Sequence, residues 1–579
     1  MPPSTPADDP LEAEILRHAL RIAAEEASIV VVQSAHSAMI VEGADACAGI
    51  LDREARLVTL STATNLMHAS SLRCSLPAVL ADHDVEAMQP GDVFVMNDCF
   101  RGGIHANDLL VFRPVFVDGR VEWFTGTLIH VADLGGSSAG GIVPSATDVF
   151  AEGLQLPPVL LYAAGEPVRD LHRLLALNSR TPERVLGDVQ ALVAGVNVAA
   201  ERMVDLAGRF GGERLKAGID AYLTGAERRM RAELARLETG TYQGAYTLDG
   251  DGIDLERRPV VRVEVRVGRR PGREGEEGTI ELDFSATDDQ ALGAINAGFS
   301  QALTGAVYAV RCFVDPTIPM NEGCFAPVEV VFRKGSLLDP NPPAACGGRV
   351  VAVTAVCEAV VEALGARGRT MRRRPAPSSI PTRSQRRAAS IRGCSSPTST
   401  VASARGAAPT GRVRRAPSSS AGATSCPGRG ARGDAADPLR VSAAAAGLGR
   451  GRAMARGLGV ETRIRVLQDA ELAVRNDRVV LPPCGREGGR DGLAGEQYVI
   501  GVDGATRPLP AKAANLRLAA DECFVLTTSG GGGLGPPAER DRERVLEDLA
   551  EGFVTPQAAA AVYGVELAPH ATSSGGRAS

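Results

Sequence analysis

The chain has 579 residues, of which 44% are hydrophobic, and a formal net charge of −6 at neutral pH. This length is enough for roughly three or four domains, and the balanced composition is that of a globular protein rather than a disordered one. No run of about 18 apolar residues occurs, which excludes a membrane-spanning helix. The acidic residues 1–10 lack the apolar stretch of a secretion signal, so we expect a cytoplasmic location and no membrane contact.

Apolar periodicity predicts that helices and strands share the chain. Helical spacing covers residues 11–40, 169–236 and about 298–312. Short apolar runs or strict alternation predict strands within 48–62, 92–96, 109–116, 121–129, 240–287, 328–332 and 459–467. We therefore expect an α/β fold of the mixed α+β kind, whose topology the pattern does not specify.

Two of the eight histidines lie close together, and each is followed three residues later by an aspartate. These motifs, His105-x-x-Asp108 and His130-x-x-Asp133, stand beside Gly-Gly pairs at the ends of predicted strands. Loops held by rigid strands often carry reactive residues, and glycine lets the backbone come close to a ligand. Imidazole with carboxylate suits Mn, Zn or Fe better than Ca or Mg. The residues alone leave open a metal site, an acid/base cluster, or histidines that merely hydrogen-bond to loop backbone.

Three further polar residues are candidates for the same site. Asn97 and Asp98 end a predicted strand just before His105, and could bind polar groups of a substrate or simply cap the turn. His68 could face the same pocket or be a buried, hydrogen-bonded histidine. Near the C-terminus, Gly530–Gly533 are not followed by Gly-Lys-Ser/Thr, so we find no complete ATP-binding motif.

The composition changes abruptly between Arg367 and Arg432. This stretch holds 15 arginines, and no acidic residue occurs between Glu362 and Asp434. Such a segment cannot bury enough apolar surface to offset its ordering entropy. Three interpretations stay open: a basic nucleic-acid-binding arm, a plain linker, or coding DNA read in the wrong frame. Without these 15 arginines, the rest of the chain has a formal net charge of −6 − 15 = −21. This acidity argues against a nucleic-acid partner.

Several short motifs, each different from the others, follow one another along the chain in a defined order. They are Gly91–Asp98, Gly102–Asp108, His130–Gly136, Glu152–Pro158, Asp283–Ser285, Ile318–Gly323 and Ser529–Gly535. Together they resemble the hydantoinase B/oxoprolinase family. The resemblance covers about 1–365, the core with the candidate metal site, and 456–565, the C-terminal part of the same domain, with 566–579 as a tail.

The arginine-rich stretch is where the resemblance fails. The family has a glycine-rich, aromatic-containing segment there, whereas this chain keeps roughly the length and loses the content. That departure favours compensating frameshifts over an inserted arm. Residues 366–455 are therefore predicted to be disordered or mis-framed.

The resemblance implies a large mixed α/β fold of several packed sheets and helices, different from Rossmann and P-loop folds. It implies a divalent metal held by His105, Asp108 and His130, with Asp133 orienting a histidine or serving as a fourth ligand. It implies ATP-dependent hydrolysis of a cyclic amide, such as 5-oxoproline or a hydantoin, with ATP held by a partner of the hydantoinase A type. A subunit of an ATP-dependent ketone carboxylase and an inactive frameshifted copy are the alternatives.

Overall fold

The structure is a computed structural model that describes residues 10–61, 68–272, 275–365, 401–403, 439–446 and 459–565. These residues divide into two compact units. The first unit takes the described residues up to 365 together with Ala473–Arg475 and Lys512–Asn515. The second unit takes the other described residues from 401 onward.

A seven-stranded sheet forms the centre of the first unit. Its strands are β1 (Ala46–Asp52), β2 (Leu57–Leu60), β3 (Val93–Met96), β4 (Asp108–Val117), β5 (Arg120–His130), β6 (Val159–Ala163) and β7 (Glu166–Pro167). They are ordered β2-β1-β5-β4-β3-β6-β7, and every neighbouring pair is antiparallel. Strands β1, β2 and β3 are buried along their whole length. Burial on both faces explains why they read as apolar runs without alternation.

Helices pack around this sheet. They are α1 (Pro10–Ser34), α2 (Ala38–Val41), α3 (Ala69–Asp82), α4 (Arg169–Leu177), α5 (Pro182–Phe210) and α6 (Gly212–Leu234). Helices α1 and α5 pack against each other, and α5 also packs on β4 and β5. The side chains of Val185, Val189, Leu192 and Val196 are buried on α5. Their spacing of three or four residues places them on one face of the helix, which is the face toward the core.

A second, four-stranded sheet completes the first unit. Its elements are β8 (Gly240–Thr247), β9 (Val260–Gly272), β10 (Gly275–Asp283), α7 (Phe299–Arg311), α8 (Glu322–Phe325), β11 (Val328–Val331) and α9 (Val350–Gly365). The strand order is β11-β10-β9-β8, with β10 and β11 parallel. Helix α9 packs on β8, β9 and α7. Buried side chains of both sheets belong to one continuous hydrophobic core, so the two sheets are stabilised together.

The remaining described elements follow after residue 400. They are β12 (Val401–Ser403), β13 (Leu439–Ala446), β14 (Gly459–Val466), β15 (Ala470–Arg475), β16 (Glu496–Ile500), β17 (Thr506–Pro508), β18 (Lys512–Leu518), β19 (Cys523–Thr527), α10 (Arg542–Ala550) and α11 (Pro556–Tyr563). One sheet has the order β13-β14-β19-β16-β17 and another the order β12-β15-β18. Helices α10 and α11 share a small apolar cluster that includes Val545, Ala559 and Tyr563.

The predicted fold class is confirmed, because the chain is a mixed α/β protein with several sheets. The large sheet is antiparallel, unlike the parallel sheet of a Rossmann fold. The helix predicted over 11–40 is wrong at its C-terminal end, since α1 stops at Ser34. There the Asp188 carboxylate, reaching from α5, accepts the backbone N–H groups of His36 at 2.7 Å and Ser37 at 3.0 Å. This distant cap fixes the break before α2.

The predicted 366–455 segment lies outside the described residues, apart from β12 and β13. Its disordered or mis-framed state therefore stays a prediction, as do the domain limits and the tail at 566–579. No helix within the described ranges is long and apolar enough to cross a membrane.

Candidate metal centre

The hairpin of β4 and β5 brings Asp108 and His130 face to face. Strand β4 begins at Asp108 and β5 ends at His130, and the two residues are direct cross-strand partners. Side chains of directly opposed residues lie on the same face of an antiparallel pair. The ring Nδ1 of His130 is accordingly 3.0 Å from Oδ1 of Asp108. Two positions 22 residues apart in the sequence thus meet at one end of a rigid hairpin.

His105 joins them through a tight turn. The backbone N–H of Asp108 donates to the His105 carbonyl at 2.9 Å, and Nε2 of His105 lies 3.1 Å from Oδ2 of Asp108. The loop before this turn is tightly folded: a Cβ added at Gly103 would lie only 2.7 Å from the Asn97 carbonyl oxygen. Glycine is needed there because no side chain fits.

The three side chains fit a divalent metal. Their donor atoms lie within 4.8 Å of one another, and atoms about 2.1 Å from one ion are roughly 3 Å or more apart. Burial lowers the pKa of His105 well below its ordinary 6.5, against the opposing effect of Asp108, so the imidazole keeps a lone pair. Burial alone would raise the pKa of Asp108, but His105, Arg349 and His130 outweigh it and hold that pKa well below the usual carboxyl range. Two imidazoles and a carboxylate form a suitable donor set for Mn, Zn or Fe.

His68 contacts the carboxylate of Asp45, a residue that the sequence did not indicate as part of the site. Its Nε2 is 2.7 Å from Oδ1 of Asp45, and the ring is buried. Asp45 lies within electrostatic range of both Asp108 and His130. Burial would raise the pKa of Asp45, yet His68 outweighs this and lowers it to about 2. His68 is therefore a buried, hydrogen-bonded histidine that approaches the triad through Asp45.

Two buried arginines also border the site, and neither was predicted. Nη2 of Arg349 donates to Oδ2 of Asp108 at 2.9 Å. Nη1 of Arg475 donates to the Gly347 carbonyl at 3.0 Å. Burial, and then the neighbouring Arg349 charge, lower the pKa of Arg475 to about 10. The one local signal was that Arg349 follows two glycines and precedes the apolar run of α9.

Glu152, part of a family-like motif but given no role from sequence, fixes the segment before α9. Its carboxylate accepts the backbone N–H of Cys346 at 3.1 Å and of Gly347 at 2.6 Å. Burial raises the pKa of Glu152 to about 7, although both N–H groups oppose that rise. The side chain thus anchors the loop that carries Arg349.

Asp133 hydrogen-bonds to Arg180 and to the loop that follows β5. Its Oδ2 accepts the backbone N–H of Arg180 at 2.6 Å, and its Oδ1 accepts Nη1 of Arg180 at 2.9 Å and the N–H of Gly140 at 3.3 Å. These bonds occupy the carboxylate at the loop that follows β5. The prediction that Asp133 orients a histidine or ligates the metal is therefore not supported by the geometry.

Asn97 and Asp98 serve the backbone. Nδ2 of Asn97 donates to the carbonyls of Ala106 and Leu154, and its Oδ1 accepts the N–H of Leu156. The backbone thus takes both amide hydrogens and one lone pair of Oδ1, and the residue is fully buried. Oδ1 of Asp98 accepts the N–H of Phe100 at 2.9 Å and caps the short helical turn at Cys99–Arg101. Of the two alternatives, capping the turn is the one seen.

The comparison with protein families identifies the chain. The family model of hydantoinase B/oxoprolinase matches residues 9–537. The chain belongs to this family. The family expected from the sequence motifs is therefore confirmed.

Individual relatives agree with this membership. The putative B component of a D-/L-hydantoinase from Pseudomonas sp. (strain NS671) is 25% identical, over 96% of this chain and 95% of that protein. A 5-oxoprolinase from Pestalotiopsis fici is 26% identical over 94% of this chain, which spans only 43% of that longer relative. The crystal structure of the ATP-dependent caprolactamase from Pseudomonas jessenii matches with a TM-score of 0.75, over 97% of both chains at 21% identity. At this identity the structural match establishes the fold.

Proposed function

We propose that this family member is the metal-bearing hydrolytic subunit of an ATP-dependent cyclic-amide hydrolase that acts on 5-oxoproline- or hydantoin-type rings. The observation that carries the proposal is the buried triad of His105, Asp108 and His130, whose donor atoms converge within 4.8 Å. A relative named as a hydantoinase component and another named as a 5-oxoprolinase support the substrate class.

An amide carbonyl is a poor electrophile, which is why the reaction needs ATP. We propose that a partner of the hydantoinase A type holds ATP and transfers its phosphoryl group to the amide oxygen. Water then adds to the activated carbon at the site of this chain, and cleavage of the C–N bond opens the ring and frees the amine. Hydrolysis of the remaining acyl phosphate releases inorganic phosphate and the carboxylate. The division fits the sequence, because the glycines at Gly530–Gly533 lack the lysine of a phosphate-binding loop.

His105, Asp108 and His130 would hold the ion, and a divalent metal of the Mn, Zn or Fe class supplies Lewis acidity and a lowered pKa of bound water. Asp108 stays ionised because two imidazoles and a guanidinium surround it. Asp45 adds a second carboxylate within range of the triad. The burial of the triad keeps bulk water away from the activated amide.

The test is the substitution His105→Ala, assayed with the ATP-holding partner and ATP. We expect loss of the bound ion by elemental analysis, and a fall in turnover of about a thousandfold or more, because several kcal/mol of transition-state stabilisation are removed. The control is His18→Ala, at an exposed histidine of α1, which should keep ion and turnover. Full ion content and full turnover in His105→Ala would contradict the proposal.

A substrate panel separates the remaining possibilities. We expect ATP-dependent consumption of 5-oxoproline or a hydantoin, and none of acetone with bicarbonate. Carboxylation of the ketone would instead assign the chain to the carboxylase branch. Since ion content is measured on the isolated chain, it tests the triad even where no substrate is consumed.

A further inference from the structure

The buried guanidinium of Arg349 has one nitrogen without a hydrogen-bond partner in the part of the chain that the structure describes. Its side chain is only 8% exposed. Nη2 donates to Asp108, and Nε lies 3.4 Å from Oε1 of Gln301. Nη1 is buried and has no hydrogen-bond partner among the residues that the structure describes. A buried charged donor without an acceptor is costly, so this nitrogen indicates an acceptor that the described chain does not supply.

The backbone holds the guanidinium in place. The N–H of Arg349 donates to the Cys346 carbonyl at 3.0 Å, which closes a turn directly before α9. The Glu152 carboxylate accepts the N–H groups of Cys346 and Gly347. Because Nη1 and Nη2 belong to one planar fork, the bond from Nη2 to Asp108 also places Nη1 beside the candidate metal ligands.

The local charge favours an anion as the missing acceptor. The carboxylates of Asp108 and Asp45 are balanced by the guanidiniums of Arg349 and Arg475, which interact electrostatically with them. A divalent ion in the triad then leaves the site with a positive excess. This step rests on the proposed function, whereas the unpartnered nitrogen does not.

We propose that Nη1 of Arg349 donates to one oxygen of an oxyanion bound beside the His105, Asp108 and His130 triad. Only one terminal nitrogen remains, so the contact is to a single oxygen and not the bidentate fork that arginine forms with a free carboxylate. Two groups of the proposed reaction offer this chemistry: the phosphoryl group on the activated amide, and the carboxylate that ring opening releases. Arg349 is thus a substrate-contacting residue of the site.

The experiment is calorimetric titration of the full chain with inorganic phosphate and, separately, with acetate. It uses metal-loaded and chelator-treated protein of the wild type, of Arg349→Lys and of the control Arg311→Lys. Lysine at position 349 can keep a contact to Asp108 but cannot also reach the oxyanion. We expect the wild type to bind at least one of the two anions and Arg349→Lys to bind it about tenfold or more weakly, as for loss of one charged hydrogen bond.

The control arginine lies outside the site. Arg311 donates to the carbonyls of Ile318 and Pro316, so its lysine variant should keep wild-type anion affinity. The anion that loses affinity in Arg349→Lys identifies the source, phosphate for the phosphoryl group and acetate for the carboxylate. Equal affinity in wild type and Arg349→Lys, or no binding of either anion by the wild type, overturns the proposal.

Two further variants keep the test decisive. Arg349→Gln replaces the lysine variant if that one does not fold. In folded Arg349→Ala, millimolar guanidinium should restore anion binding if the guanidinium makes the contact, and an absence of recovery counts against it. The proposed function is tested separately: it fails if His105→Ala retains the ion and the turnover. The anion titrations of the Arg349 variants can still be interpreted in that case.

Discussion

His105–Asp108 and His130–Asp133 share one spacing, yet they lie on different kinds of backbone. The first pair closes a turn, in which the Asp108 N–H donates to the His105 carbonyl, and the two side chains converge. The second pair starts at the last residue of β5 and runs into an irregular loop. A spacing of three residues brings side chains together only when the backbone between them turns back.

The partners of the two aspartates differ accordingly. Asp108 is shared by two imidazoles and the Arg349 guanidinium, which makes it a centre of charge. Asp133 is held by Arg180, whose guanidinium also donates to the carbonyls of Gly135 and Gly136. The second aspartate therefore fastens a glycine-containing loop. One motif builds the candidate metal centre, and its twin stabilises the structure beside it.

The largest effect predicted from this comparison is that of Asp108→Ala. The substitution removes a proposed metal ligand and leaves Arg349 buried without its carboxylate, which typically costs roughly 3–5 kcal/mol. We expect loss of the bound ion and a lower midpoint of denaturant unfolding. If the variant kept the ion and lost less than about 1 kcal/mol, Asp108 would be neither a metal ligand nor the partner of a buried charge.

A third buried carboxylate, Glu152, should differ from Asp108 in how its contribution to stability depends on pH. Unlike Asp108 it has backbone N–H partners and a pKa raised by burial to about 7 from 4.5. Because the folded pKa is the higher one, the contribution of Glu152 to stability is complete below pH 4.5 and is lost as pH rises through 7. This rise corresponds to ~3 kcal/mol.

The variant Glu152→Gln removes that titration. We expect its free energy of unfolding, relative to the wild type, to increase from pH 4.5 to about 7 and then to level off. Denaturant unfolding at a series of pH values measures the difference. A difference that is flat with pH would show that Glu152 is ionised in the fold, as Asp108 is.

Asp133→Ala should have a smaller effect than Asp108→Ala and should leave the bound ion in place. Its partner Arg180 is 38% exposed, so the orphaned charge remains partly solvated and the cost is about 2 kcal/mol. Arg180→Gln should cost a similar amount, and the double variant less than the sum, since both remove one interaction. Loss of the ion from Asp133→Ala would restore the role that the sequence motif suggested.

Local pattern was enough for the elements that carry their own periodicity. The alternation of Val261, Val263, Val265 and Val267 predicts β9, and all four are buried. The break after α1 was not predictable in this way, because the carboxylate that fixes it comes from Asp188, 152 residues from His36. Tertiary capping of this kind leaves no trace in the neighbouring sequence.

The candidate site likewise contains residues that local pattern indicates and residues that only the tertiary fold brings in. His105, Asp108 and His130 were predictable because spacing and family resemblance pointed to them, and the structure brings them together. Arg349 was not, since it meets Asp108 across 241 residues and only the two preceding glycines and the following apolar run mark it locally. Asp45 was missed for the same reason. The sequence therefore indicates the candidate metal donors, while the charged residues around them are brought there by the tertiary fold.

The smallest predicted effect is that of Asp98→Ala, at the start of the loop that leads to His105. The substitution removes one hydrogen bond, from the Phe100 N–H to Oδ1, and loss of a helix cap costs about 1 kcal/mol. We expect this loss in unfolding experiments with unchanged ion content and an unchanged KM, because the carboxylate points into its own turn. Asp98→Asn should recover most of the stability, since an amide oxygen also caps. A raised KM in both variants at normal stability would instead place Asp98 among the substrate-binding residues and extend the site from the first His-x-x-Asp motif back to the end of β3.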